Sequence, residues 1–153
     1  MRMAARLAAV TITAILFGCS AYGETAVARA ERALFIAVNQ ARQAQGLAPL
    51  RWNDLLAEAA RRHAQVMADH GSAQHGFEGE PGLSVRVKQT GARFSSLSEN
   101  VTQGPTPEFI HGQFMQSAPH RANILDQEMD SIGVGVVEHG GQLFAVEDFS
   151  HAR

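Results

Sequence analysis

The sequence predicts a single α+β domain, an α-β-α sandwich in which helices flank a small antiparallel sheet. Three observations predict it. Leu55, Leu56, Ala59, Ala60, His63, Val66 and Met67 make a broad apolar face at helical spacing. Residues 131–138 and 142–149 alternate β-branched and aromatic residues about Gly140-Gly141, which suits a tight hairpin. The chain has 153 residues, enough for one ordinary core and too few for two.

The first residues read as an export signal, with Arg2 and Arg6 before an apolar run, Leu7 to Gly18, too short to span a bilayer. Leu16-Phe-Gly-Cys19 resembles the lipobox of bacterial lipoproteins, making Cys19 a candidate lipidation site. The alternative is ordinary cleavage near residues 21–28, releasing a soluble protein. Either way the chain is expected outside the cytoplasm, secreted or periplasmic, or lipid-anchored to the cell envelope. Removing residues 1–18 leaves 135 residues and deletes two arginines, taking the net charge from −2 to −4. An acidic balance without a basic stripe argues against nucleic acid and anionic lipid as partners, leaving the N-terminal anchor as the membrane contact. Cys19 is the one cysteine, so packing must stabilise the fold without internal disulfides.

Residues 19–28 are expected to be a tether and residues 29–153 the domain, although helical periodicity already runs from Ala26 to Gln45, closed by Gly46. Leu47 to Leu50 reads as an extended connector. Asn53 is an N-cap with Trp52 placed to staple onto the first turn, and the helix it opens runs to about His70, ended by Gly71. His63 falls on the apolar face and reads as a satisfied core histidine. Residues 72–82 are a polar, glycine-containing loop carrying His75. Residues 83–90 make two helical turns before Gly91. Phe94 to Leu97 reads as a short strand leading to Ser98-Glu99-Asn100-Val101. Thr106-Pro107-Glu108 supplies an N-cap, an N1 proline and an acidic first turn. Pro119 starts a further short helix, placing His120 beside unpaired backbone N–H groups. Gly133 and Gly135 bare one face of their strand for a close backbone approach.

With these pieces in place the chain resembles the CAP superfamily, named for cysteine-rich secretory proteins, antigen 5 and pathogenesis-related 1 proteins, in a short bacterial form. The resemblance runs from about Leu34 to Phe149. It is carried by Asn39-Gln-Ala-Arg42, Leu50-Arg-Trp52-Asn53, Leu56 to Ala64, His75, Ser98-Glu99-Asn100-Val101, Ser117 to Leu125, and Ile132-Gly-Val-Gly135-Val. It implies a cleft lined by two histidines and acidic residues, matched here by His75, Glu99 and His120. It also implies extracellular roles, with sterol or lipid binding in some eukaryotic members. Ser117 stands where many of those members have a second glutamate, Phe114 where the usual residue is Trp, and their disulfides are missing.

Two imidazoles from separate segments are candidate ligands for Zn²⁺, so His75 and His120 are the candidate metal residues, with water completing the shell. Glu99 would then orient a ring, accept a proton from bound water, or ligate. Without metal, Glu99 bridges histidines and backbone and fixes the loops. A Ser–His–acid hydrolase would use Ser98 or Ser117, but neither lies in a Gly-x-Ser-x-Gly elbow. Asn39 and Arg42 read as structural contacts, Asn100 as a backbone partner, Arg121 as a partner for Asp126. His70, His111, His139 and His151 read as exposed, and Glu147 and Asp148 as a solvated strand edge in preference to a border of the cleft. The expected function is therefore an exported module binding a small-molecule, lipid or cell-envelope ligand, with His75, Glu99 and His120 as its site. The alternative is a zinc-dependent hydrolase of peptide or envelope material using the same three residues.

Overall fold

The protein is described by a computed structural model covering residues 24–152; the segment expected to be an export signal, and Cys19, lie outside the described residues. Helix α1 (Ala26–Ala44) leads to β1 (Arg51–Trp52), α2 (Asp54–His70), α3 (Leu83–Gln89) and β2 (Phe94–Gly104). Then come α4 (Pro107–Gln116), α5 (Ala118–Ile124), β3 (Ser131–His139) and β4 (Gln142–Ala152). The strands form one sheet in the order β1-β3-β4-β2. The β3-β4-β2 part is antiparallel, as expected. The two-residue β1 pairs parallel to β3, so the sheet is mixed and the Leu47–Leu50 connector ends in an edge strand.

Local chemistry accounts for the element ends. Asn53 Oδ1 accepts from the backbone N–H groups of Leu55 and Leu56 at 3.0 and 3.2 Å, starting α2. Gly71 ends it at φ 63°. Trp52 is tied to the first turn of α2 by its indole, which donates to Asp54 Oδ1 at 2.8 Å, while its ring meets the Phe35 edge, centroids 5.5 Å apart. Helix α1 begins at Ala26, inside the segment expected to be tether. In α4, Thr106 Oγ1 caps Phe109 N at 3.2 Å and Pro107 occupies the first turn. Gly140 and Gly141, at φ 58° and 75°, make the two-residue turn between His139 and Gln142.

Alternation along the strands divides the sheet into two buried faces. Toward α1, α4 and α5, Ile132, Val134, Val136, Ala145 and Phe149 pack on Leu34, Val38, Ile110, Phe114 and Ile124. Toward α2, Val101, Phe144 and Val146 pack on Ala60, Ala64 and Met67. A Cβ on Gly133 would stand 2.1 Å from Ala57 N, and one on Gly135 2.2 Å from Arg61 N, so both glycines let α2 ride directly on β3. Arg42, buried as a structural contact, donates to the carbonyls of Ala48, Ile124, Asp126 and Met129 and ties α1 to two loops. Asn39 exchanges two hydrogen bonds with the backbone of Leu50. Arg121 forms no ion pair with Asp126; the Asp126 carboxylate accepts from Glu128 N at 2.8 Å instead.

Candidate functional site

Strand β2 is longer than the expected Phe94–Leu97 strand, and Glu99 and Asn100 sit within it. Neighbours along a strand face opposite ways. Glu99 is the register partner of Asp148, which is itself opposite Gly133, so both acids face α2. Asn100 is opposite Glu147 and faces α4 and α5.

The structure brings the three sequence-selected residues together. His75 Nδ1 lies 3.0 Å from Glu99 Oε1. The His75 and His120 ring centres are 6.4 Å apart, tilted by 46°. The His75 side chain is 60% exposed, whereas that of Glu99 is 4% exposed. An open imidazole therefore rests on a buried carboxylate. His120 stands edge-on to Phe114, centroids 5.2 Å apart. Its carbonyl accepts from Asn100 Nδ2 at 3.1 Å, and Asn123 Nδ2 donates to Asn100 Oδ1 at 2.9 Å, stitching α5 to β2. Burial, then the neighbouring His75, holds the His120 pKa below its usual value and favours the neutral ring. That group contributes stability above the unfolded value, lost as pH falls through the lowered one.

Three contributors behind the site were not among the residues selected from the sequence. Arg86, from α3, is buried and forms an ion pair from Nη2 to Glu99 Oε2. Its Nη1 donates to the carbonyls of His75 and Pro81 at 3.3 and 3.1 Å. Glu80, in the loop, takes His63 Nδ1 at 2.6 Å on Oε1 and the Phe77 N–H at 3.2 Å on Oε2. His63 also meets the Gln74 carbonyl at 2.9 Å, so it is a fully buried, satisfied core histidine, as its position implied. Asp148 is the third.

Glu147 and Asp148 correct the expectation of a solvated edge: β4 is an inner strand and both residues are buried. The alternation that puts Asp148 on one face with Val146 and Phe144 was the available signal. Burial pushes Glu147 up to about 8, with the Asn100 hydrogen bond at 3.1 Å pulling the other way. Burial, then the charge of Glu99, holds Asp148 well above the usual carboxylate range against the pull of Arg86. His111 is also not exposed; it is half-buried, and desolvation lowers its pKa. The Ser98 hydroxyl is buried without a hydrogen-bond partner, so it has no histidine base.

Two imidazoles on one tetrahedral zinc, with zinc–nitrogen bonds of about 2 Å, have ring centres roughly 5 Å apart. His75 and His120 are wider, at 6.4 Å. Both Glu99 oxygens are engaged, by His75 and Arg86. Among the described residues no group of three or more His, Cys, Asp or Glu side chains is arranged to hold a metal. A zinc shared by these two histidines would draw the rings closer together and take water for its remaining positions.

The fold and this cluster define an α-β-α sandwich that presents one histidine on a buried acid with a second histidine beside it. The family model for the cysteine-rich secretory protein family, CAP, matches residues 35–149, and the chain belongs to that family. It is 33% identical over 117 residues to YkwD of Bacillus subtilis, covering 76% of this chain and 46% of YkwD, and so spans less than half that relative's length. An outer surface protein of Borrelia burgdorferi superposes with a TM-score of 0.77 at 16% identity, over 86% of this chain and 98% of that one. An extracellular SCP-domain protein of Bacillus anthracis gives 0.73 at 23% identity, over 80% of this chain and 40% of that one. At these identities the two structures share the fold. Among the described residues no helix is long and apolar enough to cross a membrane.

Proposed function

We propose that this chain is an exported binding module of the cell envelope, in which His75, Glu99 and His120 contact a small-molecule, lipid or envelope ligand. The observation that carries this reading is the exposed His75 ring anchored on the buried Glu99 carboxylate, with His120 one ring's width away. A pre-oriented polar pair gives up little rotamer freedom when a ligand arrives, which is how a small site gains affinity. Export is supported by Arg2, Arg6 and the apolar run after them, and by the extracellular and outer-surface descriptions of the two structural relatives. Anchoring at Cys19 is the membrane-bound form of the same reading.

The test compares the mature chain with His75→Ala and His120→Ala for binding to envelope fractions and lipid vesicles. Each variant is expected to bind roughly tenfold more weakly, the effect of one lost hydrogen bond of about 1.4 kcal/mol. Parent-like binding by both variants would overturn the reading. Zinc titration of the same three proteins decides the metal alternative, which requires saturable binding that both substitutions abolish. Incorporation of labelled fatty acid into the parent but not Cys19→Ala decides the anchor.

A further inference from the structure

We propose that Arg86 is a positioning residue for His75, fixing through Glu99 which ring nitrogen faces the ligand. This rests on the reading of His75 as a ligand-contacting residue, but it concerns the free protein. Ala73 and Phe77 seat the loop on the core either side of His75, but the His75 side chain itself is 60% exposed and is oriented by polar contacts. One guanidinium supplies them from two sides. Arg86 Nη1 donates to the His75 carbonyl at 3.3 Å and to the Pro81 carbonyl at 3.1 Å, gripping the loop at both ends. Arg86 Nη2 pairs with Glu99 Oε2, while Glu99 Oε1 takes the His75 ring at 3.0 Å. The planar fork thus fixes the backbone of His75 and its side-chain partner relative to each other.

The consequence is chemical as well as steric. A carboxylate paired with a guanidinium accepts hydrogen bonds and has none to give. His75 Nδ1, facing it, must therefore carry the proton, and in the neutral ring Nε2 presents a lone pair outward. The surroundings reinforce this arrangement. Asp148, opposite Glu99 across the strands, is disposed to the protonated form by burial, then by Glu99's charge, so it sets no second negative charge beside Arg86. Glu80 lies 3.8 Å from Arg86 Nη1 and is itself held by buried His63 at 2.6 Å, so the guanidinium is buttressed from α2. The site accordingly offers an acceptor nitrogen at His75, suited to a ligand hydroxyl or amide N–H.

The test is the ¹⁵N NMR signature of His75 in the mature chain, with no ligand added, at a pH where the ring is neutral. The parent is expected in the Nδ1–H form. Arg86→Met should lose that dominance, and Arg86→Lys, which keeps a charge but not the fork, should fall between the two. Arg61→Met, which breaks a different ion pair contributed by α2, is the control and should leave the His75 signal unchanged while lowering Tm. If every folded Arg86 variant keeps the parent's His75 signature, the inference is overturned. A His75 that responds to Arg86 in a protein that binds no envelope ligand leaves this inference standing and defeats only the binding reading.

Discussion

The two faces of the sheet each bury an acid of β4, one residue apart, and treat it differently. On the α2 face, Asp148 has no hydrogen-bond partner on either oxygen but lies opposite Glu99, whose carboxylate is ion-paired with Arg86, with Glu80 and His63 behind it. On the α4 and α5 face, Glu147 has Asn100 as its hydrogen-bonded partner, and its Oε1 has none. A guanidinium on the first face lets Glu99 act as an ion-paired anchor for an exposed ring. Without one on the second, burial favours the protonated Glu147, which braces the Asn100 link to α5. The acid with a cation serves the surface, and the acid without one serves the core.

Glycine substitutions should break this comparison most strongly. The methyl of Gly133→Ala would stand 2.1 Å from Ala57 N and 2.3 Å from the Leu56 carbonyl carbon, backbone atoms that cannot swing aside. Displacing α2 in this way should cost about 3 kcal/mol or more. On the opposite face, the methyl of Gly104→Ala meets the Phe109 ring at 2.5 Å, and that ring is 48% exposed and free to move. That substitution should cost about 1 kcal/mol. Denaturant unfolding of the two variants measures the difference; equal costs would mean that α2 is not seated as described.

The next effect is one of pH. Glu147 is raised in the folded protein to about 8, above its ordinary value. Its contribution to stability is therefore complete below the unfolded value and is lost as pH rises through the folded one. Across that window the parent should lose up to about 1.4 kcal/mol per pH unit from this group. Glu147→Gln keeps the shape and the Asn100 contact but cannot ionise. It should unfold like the parent near pH 5 and be the more stable of the two at pH 9, as urea titrations at both values would show. Asp148 titrates in the same direction and leaves a residual slope in the variant.

The elements of this fold were legible because each has a local cause. Asn53 and Gly71 bound α2, Thr106 and Pro107 start α4, and Gly140-Gly141 turns the hairpin. His75, Glu99 and His120 could be selected because motif resemblance spans the distances between them. Arg86 and Glu80 could not, because a lone charged residue in a short helix or loop looks solvated until its partner is known, and Asp148 was open to selection only through the alternation of β4. The extra length of β2 and the parallel pairing of β1 were hidden for a similar reason. Both depend on hydrogen bonds to strands far along the chain, with Arg51 opposite Ser131 and Glu99 opposite Asp148.

The smallest effect lies on α2 itself, where Arg61, Arg62 and His63 occur in sequence and meet three environments. Arg62 pairs with Glu58 one turn earlier, with side chains 57% and 47% exposed. Two long, hydrated side chains gain little from such a contact, so Arg62→Ala should change stability by less than about 0.5 kcal/mol and by less still in high salt. Arg61 is also partly exposed, but its fork takes both oxygens of Glu31, at 2.8 and 2.7 Å, and Glu31 is buried. Arg61→Ala would strand that carboxylate beside Val136 N, which donates to it at 3.3 Å, and should cost more than Arg62→Ala at every salt concentration. Chemical denaturation of both variants at low and high salt separates the cases. If the two arginines prove equivalent, burial of the acid partner is not what gives an ion pair its weight in this protein, and the argument for Arg86 behind Glu99 weakens with it.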